Sequence, residues 1–424
     1  MTCELRRRLL VALAACASGA HPLDAQSDRT IVGTVPPAAL VCELPDGAAG
    51  AGPSAASVDG QLSVEWSGAT GERLRLRFGL AGAAPVVREL AIRPADGAWV
   101  TVATDLGIEY RIVEGLRRIS NQQLVPLREL GVDITPEIVD RYKWDVFWDA
   151  PLDLGPVAAG RNPPPAEGVA DQPGLPRSPE EIRRSIVDWS TTGCVVTREG
   201  ARLHVDFDGL TLGSFRGGLR VSVYQGTNLV HLEAIGATDL PSVAYKYDVG
   251  LTGLPLTSGA RVHWRDVASQ PQSYGLRGPI NDDPVPLRAA NRLVVAELEG
   301  AAIAAFPPPH TFFWAREVEI NVGYDWYRKD SPGSFSFGIR QGEGEVVERY
   351  RANWSLYSAR PGTEQHMAAF FYPTLGGATE AFDGALAFTN GDVYRPVPGY
   401  RVMGSHYHTD VGRHLMATGS GDSR

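Results

Sequence analysis

Residues two apart in a β-strand project to the same side. In the run Gly404-Ser405-His406-Tyr407-His408-Thr409-Asp410, two imidazoles follow a short apolar segment with that spacing. His406 and His408 can therefore reach one cation at the end of a strand, and imidazole nitrogens suit zinc, manganese or iron. Asp410 is placed to steady one of the rings as a supporting partner. Spacing alone leaves a second reading open, a solvated or core histidine pair after a strand.

Other residues capable of chemistry are scattered. Asp325-Trp326-Tyr327-Arg328-Lys329-Asp330 mixes rings with charges. Trp326 and Tyr327 could stack on a sugar, or close a hairpin with ordinary cation–π contacts. His231 with Glu233, and His310 with Glu317 or Glu319, are same-face pairs that read more simply as structural. Asp282-Asp283-Pro284 reads as a solvated turn before it reads as a calcium loop. Trp144, Phe147 and Trp148 read as core before a sugar-stacking ledge. The sequence has no glycine-rich dinucleotide or phosphate loop and no H-E-x-x-H helix. Nor does it have a nucleophile elbow, since Ser214 directly follows Gly213.

The elements that must position these residues read as strands. Hydrophobic content of 43% and charge of 21% are ordinary for a globular chain, whereas 47 glycines and 31 prolines in 424 residues favour frequent turns. Residues 61–66 and 73–78 alternate with period two, and the rhythm continues through residues 86–113. After a Pro-rich stretch at residues 150–177, a second dense series covers residues 192–372, with residues 218–224 and 228–235 flanking a Gln225-Gly226-Thr227 hairpin turn. Helices are few and short. Thr135-Pro136 starts one, Ser178-Pro179-Glu180-Glu181 starts an amphipathic one over residues 179–189, and residues 376–386 form a third. The fold class is therefore mainly β, a large antiparallel β-sandwich. Its parts are a signal segment (1–25), an N-terminal β region (26–150), a linker with a short helix (151–190), a β-sandwich region (191–385) and the start of a further domain (386–424).

The first residues read as an export signal. Arg6-Arg7-Arg8 precedes an apolar run too short to span a membrane, with a small-residue cleavage site before Gln26. A secreted or periplasmic protein is expected. The alternative is a lipoprotein anchored through Cys16, because Leu13-Ala14-Ala15-Cys16 fits a lipobox. No transmembrane helix is expected. Cys42 and Cys194 either pair in the oxidising compartment or remain separate buried thiols. The formal charge of −9 and the lack of a basic run argue against nucleic acid as a partner.

His406-Tyr407-His408-Thr409 resembles the first metal-binding motif, H-x-H-[ST], of the polymerase-and-histidinol-phosphatase (PHP) metallohydrolases, and more loosely the H-x-H of amidohydrolases. The resemblance implies a divalent metal at His406 and His408 and a hydrolase barrel. A barrel of that kind needs about 200 residues, so its remaining ligands are expected outside this chain, which is not expected to be active alone. The strand texture from residue 203 to 372, including residues 215–228 and 306–314, resembles the galactose-mutarotase-like supersandwich of many secreted carbohydrate-active proteins. Neither the Asn-His segment nor the late glutamate of true mutarotases has a match, so the resemblance does not extend to epimerase activity. Two functions follow as expectations. One is a sandwich that binds a sugar or polysaccharide, or supports a metal-dependent hydrolase. The other is a non-catalytic glycan-binding or structural module with no metal site.

Overall fold

Alternating apolar and polar residues give each strand one face that must leave water, and two large sheets solve that problem by packing face to face. The structure is a computed structural model. It describes residues 39–45, 52–116, 127–138, 182–241, 243–311, 313, 322–341, 357–392 and 398–401. In chain order the strands are β1 (Cys42–Glu43), β2 (Ser54–Val58), β3 (Gln61–Ser67), β4 (Arg73–Ala81), β5 (Ala84–Arg93), β6 (Val100–Leu116), β7 (Ile182–Ile186) and β8 (Asp188–Trp189). Then come β9 (Cys194–Glu199), β10 (Arg202–Leu212), β11 (Phe215–Tyr224), β12 (Val230–Ala237), β13 (Val243–Pro255), β14 (Arg261–Arg265), β15 (Pro271–Tyr274) and β16 (Val285–Ala290). The series closes with β17 (Val294–Leu298), β18 (Ala301–Phe306), β19 (Val322–Ser331), β20 (Ser334–Arg340), β21 (Tyr357–Ala359), β22 (Gln365–Thr374) and the helix α1 (Gly377–Thr389).

The first sheet runs β1-β9-β10-β11-β12-β22-β18-β17-β14-β15, with β8 on β10. The second runs β16-β19-β20-β13-β6-β5-β4-β3-β2, with β21 and β7 on β13 and β6. The protein is mainly β, as the alternation predicts. Strands from residues 26–150 and 191–385 share the second sheet, because β6 pairs with β13 over ten residue pairs from Val243↔Leu116 to Thr252↔Gly107.

One core fills the space between the sheets. Leu74, Leu76 and Phe78 of β4 meet Leu203, Val205 and Phe207 of β10 and Val230, Leu232 and Ala234 of β12 within it. Each such buried side chain contributes about 1.5–3 kcal/mol over its exposed state. Polar struts fix how the sheets face each other. The buried Tyr110 hydroxyl of β6 accepts the Ala234 N–H at 3.2 Å, and the Tyr247 hydroxyl of β13 donates to the Ala368 carbonyl at 2.9 Å. Burial pushes both phenols well above their ordinary range, so they stay protonated. The Trp66 indole N–H reaches the Thr227 carbonyl at 2.8 Å, and Ser214 donates its N–H to the buried Glu114 carboxylate at 2.9 Å. A small apolar cavity within the core is lined by Phe78, Leu232, Ile303 and Phe371.

The hairpin at Gln225-Gly226-Thr227 is present, with Gly226 at φ 83°, as is the helix at residues 377–389. The helix expected over residues 179–189 is instead β7 and β8. Ile182 and Ile186 are four apart, a spacing that puts them on one side of a strand as well as of a helix. Pairing with β6 from Ile182↔Gly115 to Ile186↔Arg111 decides between the two. Cys42 and Cys194 are register partners in the parallel pair β1–β9 and are joined as a disulfide.

Candidate functional site

His406, His408 and Asp410 lie outside the described residues, as do Glu317, Glu319, Trp144, Phe147, Trp148 and residues 1–25. Trp326 and Tyr327 are consecutive in β19 and point to opposite faces, so they do not form one stacking ledge. Trp326 is 1% exposed, and its indole N–H is taken by the Ile339 carbonyl at 3.1 Å. It lies over Gly250, where a Cβ would meet the ring at 2.4 Å, so only glycine fits beneath it. Tyr327 faces the other way, half-buried, 5.1 Å from the Tyr274 ring. Asp283 is an exposed turn residue 3.7 Å from Arg111. Among the described residues no group of three His, Cys, Asp or Glu side chains is placed to hold a metal ion.

The residues brought together are others. On β10 the alternation sends Leu203, Val205 and Phe207 inward, so His204 and Asp206 take the outer face of the first sheet. On β12 it sends Val230, Leu232 and Ala234 inward and His231 and Glu233 outward. Register then lines up His204, Ser222, His231, Phe370 and Phe306 across β10, β11, β12, β22 and β18. The next row is Asp206, Arg220, Glu233 and Ala368, and Ile235 with His366 begins a third.

The His204 ring nitrogen Nδ1 sits 2.6 Å from the buried Ser222 hydroxyl. His231 stacks on Phe370 with centroids 4.3 Å apart and planes 11° from parallel. Phe370 in turn stacks on Phe306 at 5.7 Å, and Phe388 of α1 packs against Phe370 at 5.2 Å. His366 Nδ1 lies 3.0 Å from the Glu233 carboxylate, and Arg220 holds Asp206 with a two-point fork at 2.6 and 3.3 Å. Burial holds both His204 and His231 below the ordinary imidazole range. The Arg220 charge adds to this at His204, and Glu233 opposes it at His231. Both rings are therefore neutral at pH 7, each with one donor and one acceptor nitrogen. His231 Nε2 is buried and has no hydrogen-bond partner among the described residues.

The helix is seated so that it completes this face. Glu297 of β17 accepts the Ala378 N–H at 3.3 Å in the first turn of α1 and is itself 2.7 Å from His263 Nε2. Ala381 and Ala385 pack on Ala302 and Ala304 beneath the helix. Small residues on both sides let the helix lie close, which brings Phe388 over Phe370.

Neutral imidazoles, carboxylates, a guanidinium and a flat ring stack on one face can hydrogen-bond hydroxyls while a ring covers an apolar ligand face. His231 and Glu233 stand out in the sequence as a pair, but His204, Ser222 and His366 do not. The available signal is the choice of His, Asp, Ser and Glu at outward positions of neighbouring strands, and it becomes readable only once the register is known.

No family model and no curated protein matches the chain. Several solved structures overlay weakly. A GH36 α-galactosidase from Geobacillus stearothermophilus is 9% identical with a TM-score of 0.36, covering 76% of this chain and 41% of its own length. A putative aldose 1-epimerase from Klebsiella pneumoniae is 10% identical with a TM-score of 0.32, covering 83% of this chain and 96% of its own. A putative aldose 1-epimerase from Escherichia coli K12 is 10% identical with a TM-score of 0.33, covering 76% and 99%. The chain thus spans less than half the length of the α-galactosidase. At these values the overlays support no assignment of ligand or activity to this chain.

Proposed function

We propose that the protein is an exported, carbohydrate-related β-sandwich that binds a neutral sugar on the outer face of its first sheet. The observation that carries this reading is the row His204–Ser222–His231–Phe370, in which the buried His231 Nε2 lacks a partner among the described residues. A buried polar atom without a partner is uncommon and costly, and a ligand hydroxyl would supply one once the side chains covering it move aside. Glu233 and His366 flank the position with an acceptor and a donor, and the exposed Phe388, packed against Phe370, offers its ring. The export part of the reading is supported by the basic and apolar pattern of residues 1–25 and by the disulfide, a bond of oxidising compartments. A lipid anchor at Cys16 remains the alternative form of export. Calorimetric titration with a panel of monosaccharides tests the sugar reading. At least one is expected to bind, and His231→Ala or Glu233→Gln is expected to weaken it about tenfold or more. A panel without binding would overturn the reading.

The spacing of His406 and His408 favours a second component. In this reading the two imidazoles hold a zinc, manganese or iron ion as part of a metal-dependent hydrolase site, with Asp410 as a supporting partner. A bound cation there would activate water and polarise a carbonyl or phosphoryl oxygen. Elemental analysis after incubation with zinc or manganese checks it. The double variant His406→Ala/His408→Ala should retain less metal than the unaltered chain, and equal metal content would remove this component.

A further inference from the structure

The outer face of the second sheet carries a separate feature. The sequence Arg73-Leu-Arg-Leu-Arg-Phe78 sends Leu74, Leu76 and Phe78 into the core, so Arg73, Arg75 and Arg77 form a row on the outside, with neighbours about 6.7 Å apart along β4. Register places Arg93 of β5 directly opposite Arg73. Like charges directly opposite across an antiparallel pair are destabilising.

The two nearby carboxylates do not balance the four arginines. Glu89 accepts a two-point fork from Arg75 at 2.9 and 3.2 Å and pairs with Arg77 at 3.3 Å. Glu65 pairs with Arg73 at 3.3 Å and Arg75 at 3.9 Å. Arg93 has no ion pair among the described residues; its guanidinium lies 5.2 Å from the Trp99 ring centroid, while that of Arg75 lies 4.1 Å from it. Stacking on an aromatic ring occupies the face of a guanidinium and leaves its in-plane N–H donors free. Arg73 and Arg77 keep 37% and 39% of their side chains exposed. A chain with a formal charge of −9 thus concentrates surplus positive charge on one patch of sheet.

We propose that this face docks a carboxylate-bearing polysaccharide, with Arg73, Arg77 and Arg93 as its contacts. The Arg75–Glu89 fork shows the same guanidinium–carboxylate recognition within the patch. A uronate carboxylate between Arg73 and Arg93 relieves their opposition, and repetition along the polymer matches repetition along β4. The acidic remainder of the chain disfavours a polyphosphate duplex on the same patch. The face lies on the opposite side of the sandwich from the histidine row and does not depend on it.

Affinity electrophoresis of the full chain tests this in gels containing polygalacturonate, dextran or double-stranded DNA. Retardation is expected with polygalacturonate only, and it should fade as salt rises toward about 1 M, where the Debye length falls to about 3 Å. Arg77→Gln/Arg93→Gln should weaken retardation about tenfold or more, with Arg93→Lys intermediate because it keeps the charge but not the fork. His231→Ala should leave it unchanged, which separates this surface from the sugar site. Absence of retardation, equal retardation by DNA, or an unaffected double variant with an unaltered melting curve would each overturn the proposal. Should the double variant not fold, the salt response and the DNA comparison on the unaltered chain decide the matter.

Discussion

Replacing Arg292 with alanine is expected to destabilise the protein by about 3–5 kcal/mol, the range for removing one partner of a buried ion pair. Arg292 follows Asn291 in a turn where both residues have positive φ, 60° and 55°, between a strand of the second sheet and one of the first. Its guanidinium holds both oxygens of Asp392 at 2.7 and 2.6 Å and the Thr311 carbonyl at 2.7 Å, with both side chains of the pair about 5% exposed. Asn291 adds a 2.8 Å bond to the Gly391 carbonyl. Together they fasten the end of α1, and with it Phe388, to the edge of the sandwich. Urea unfolding of Arg292→Ala measures the loss. A change below about 1 kcal/mol would mean that this turn does not anchor the helix.

Asp325 supplies the pH dependence of the same region. It lies between Leu287 and Ile339 in register, faces the core, and both its carboxyl oxygens are buried without partners. Burial raises its pKa well above 3.8, against the pull of the Arg292 charge. A group whose folded pKa is raised contributes stability that is complete below its unfolded pKa and is lost as pH rises toward the folded value. Asp325→Asn, which cannot ionise, should therefore match the unaltered protein near pH 3 and gain on it steadily above pH 4, at up to about 1.4 kcal/mol per pH unit. A stability difference that does not vary with pH would contradict this. Arg292→Ala should carry the same pH dependence on to higher pH, because the charge that opposes the rise in the Asp325 pKa is then gone.

The second large effect concerns the disulfide. Reduction, or Cys42→Ser/Cys194→Ser, is expected to cost about 2–5 kcal/mol. The bond closes a loop of 152 residues, long enough to constrain the unfolded chain strongly, and it fastens the two-residue strand β1 to the edge of the first sheet. With the bond cut, the loss should be global in a calorimetric scan, and amide exchange should rise first around β1 and β9. A melting curve unchanged by reduction would show that β1 holds without the bond.

Much of the architecture was legible because half-buried strands state their own period. Gln61-Leu-Ser-Val-Glu-Trp66 can bury only one side, and the structure buries that side. The short helix at residues 179–189 was misread because Ile182 and Ile186 satisfy both periods, and only the presence of β6 alongside selects the strand. The histidine face was not legible for a related reason. His204, Ser222, His231 and His366 are spread over more than 160 positions of sequence, and register alone makes neighbours of them. By sequence Trp326 and Tyr327 could stack on a sugar together, whereas a strand sends consecutive side chains to opposite faces. The pairing of Cys42 with Cys194, left open by composition, follows from β1 lying parallel beside β9.

In the proposed function the neutral imidazoles on the outer face of the first sheet take ligand hydroxyls as partners. Nitrogen-detected NMR of the histidine rings, recorded across pH with and without saturating monosaccharide, tests it most directly. His204 and His231 should titrate below 6.5, their ordinary value, and at one fixed pH the Nε2 resonance of His231 should move when a sugar is added. An imidazole at His231 that titrates at or above 6.5 and ignores every sugar offered would contradict the account.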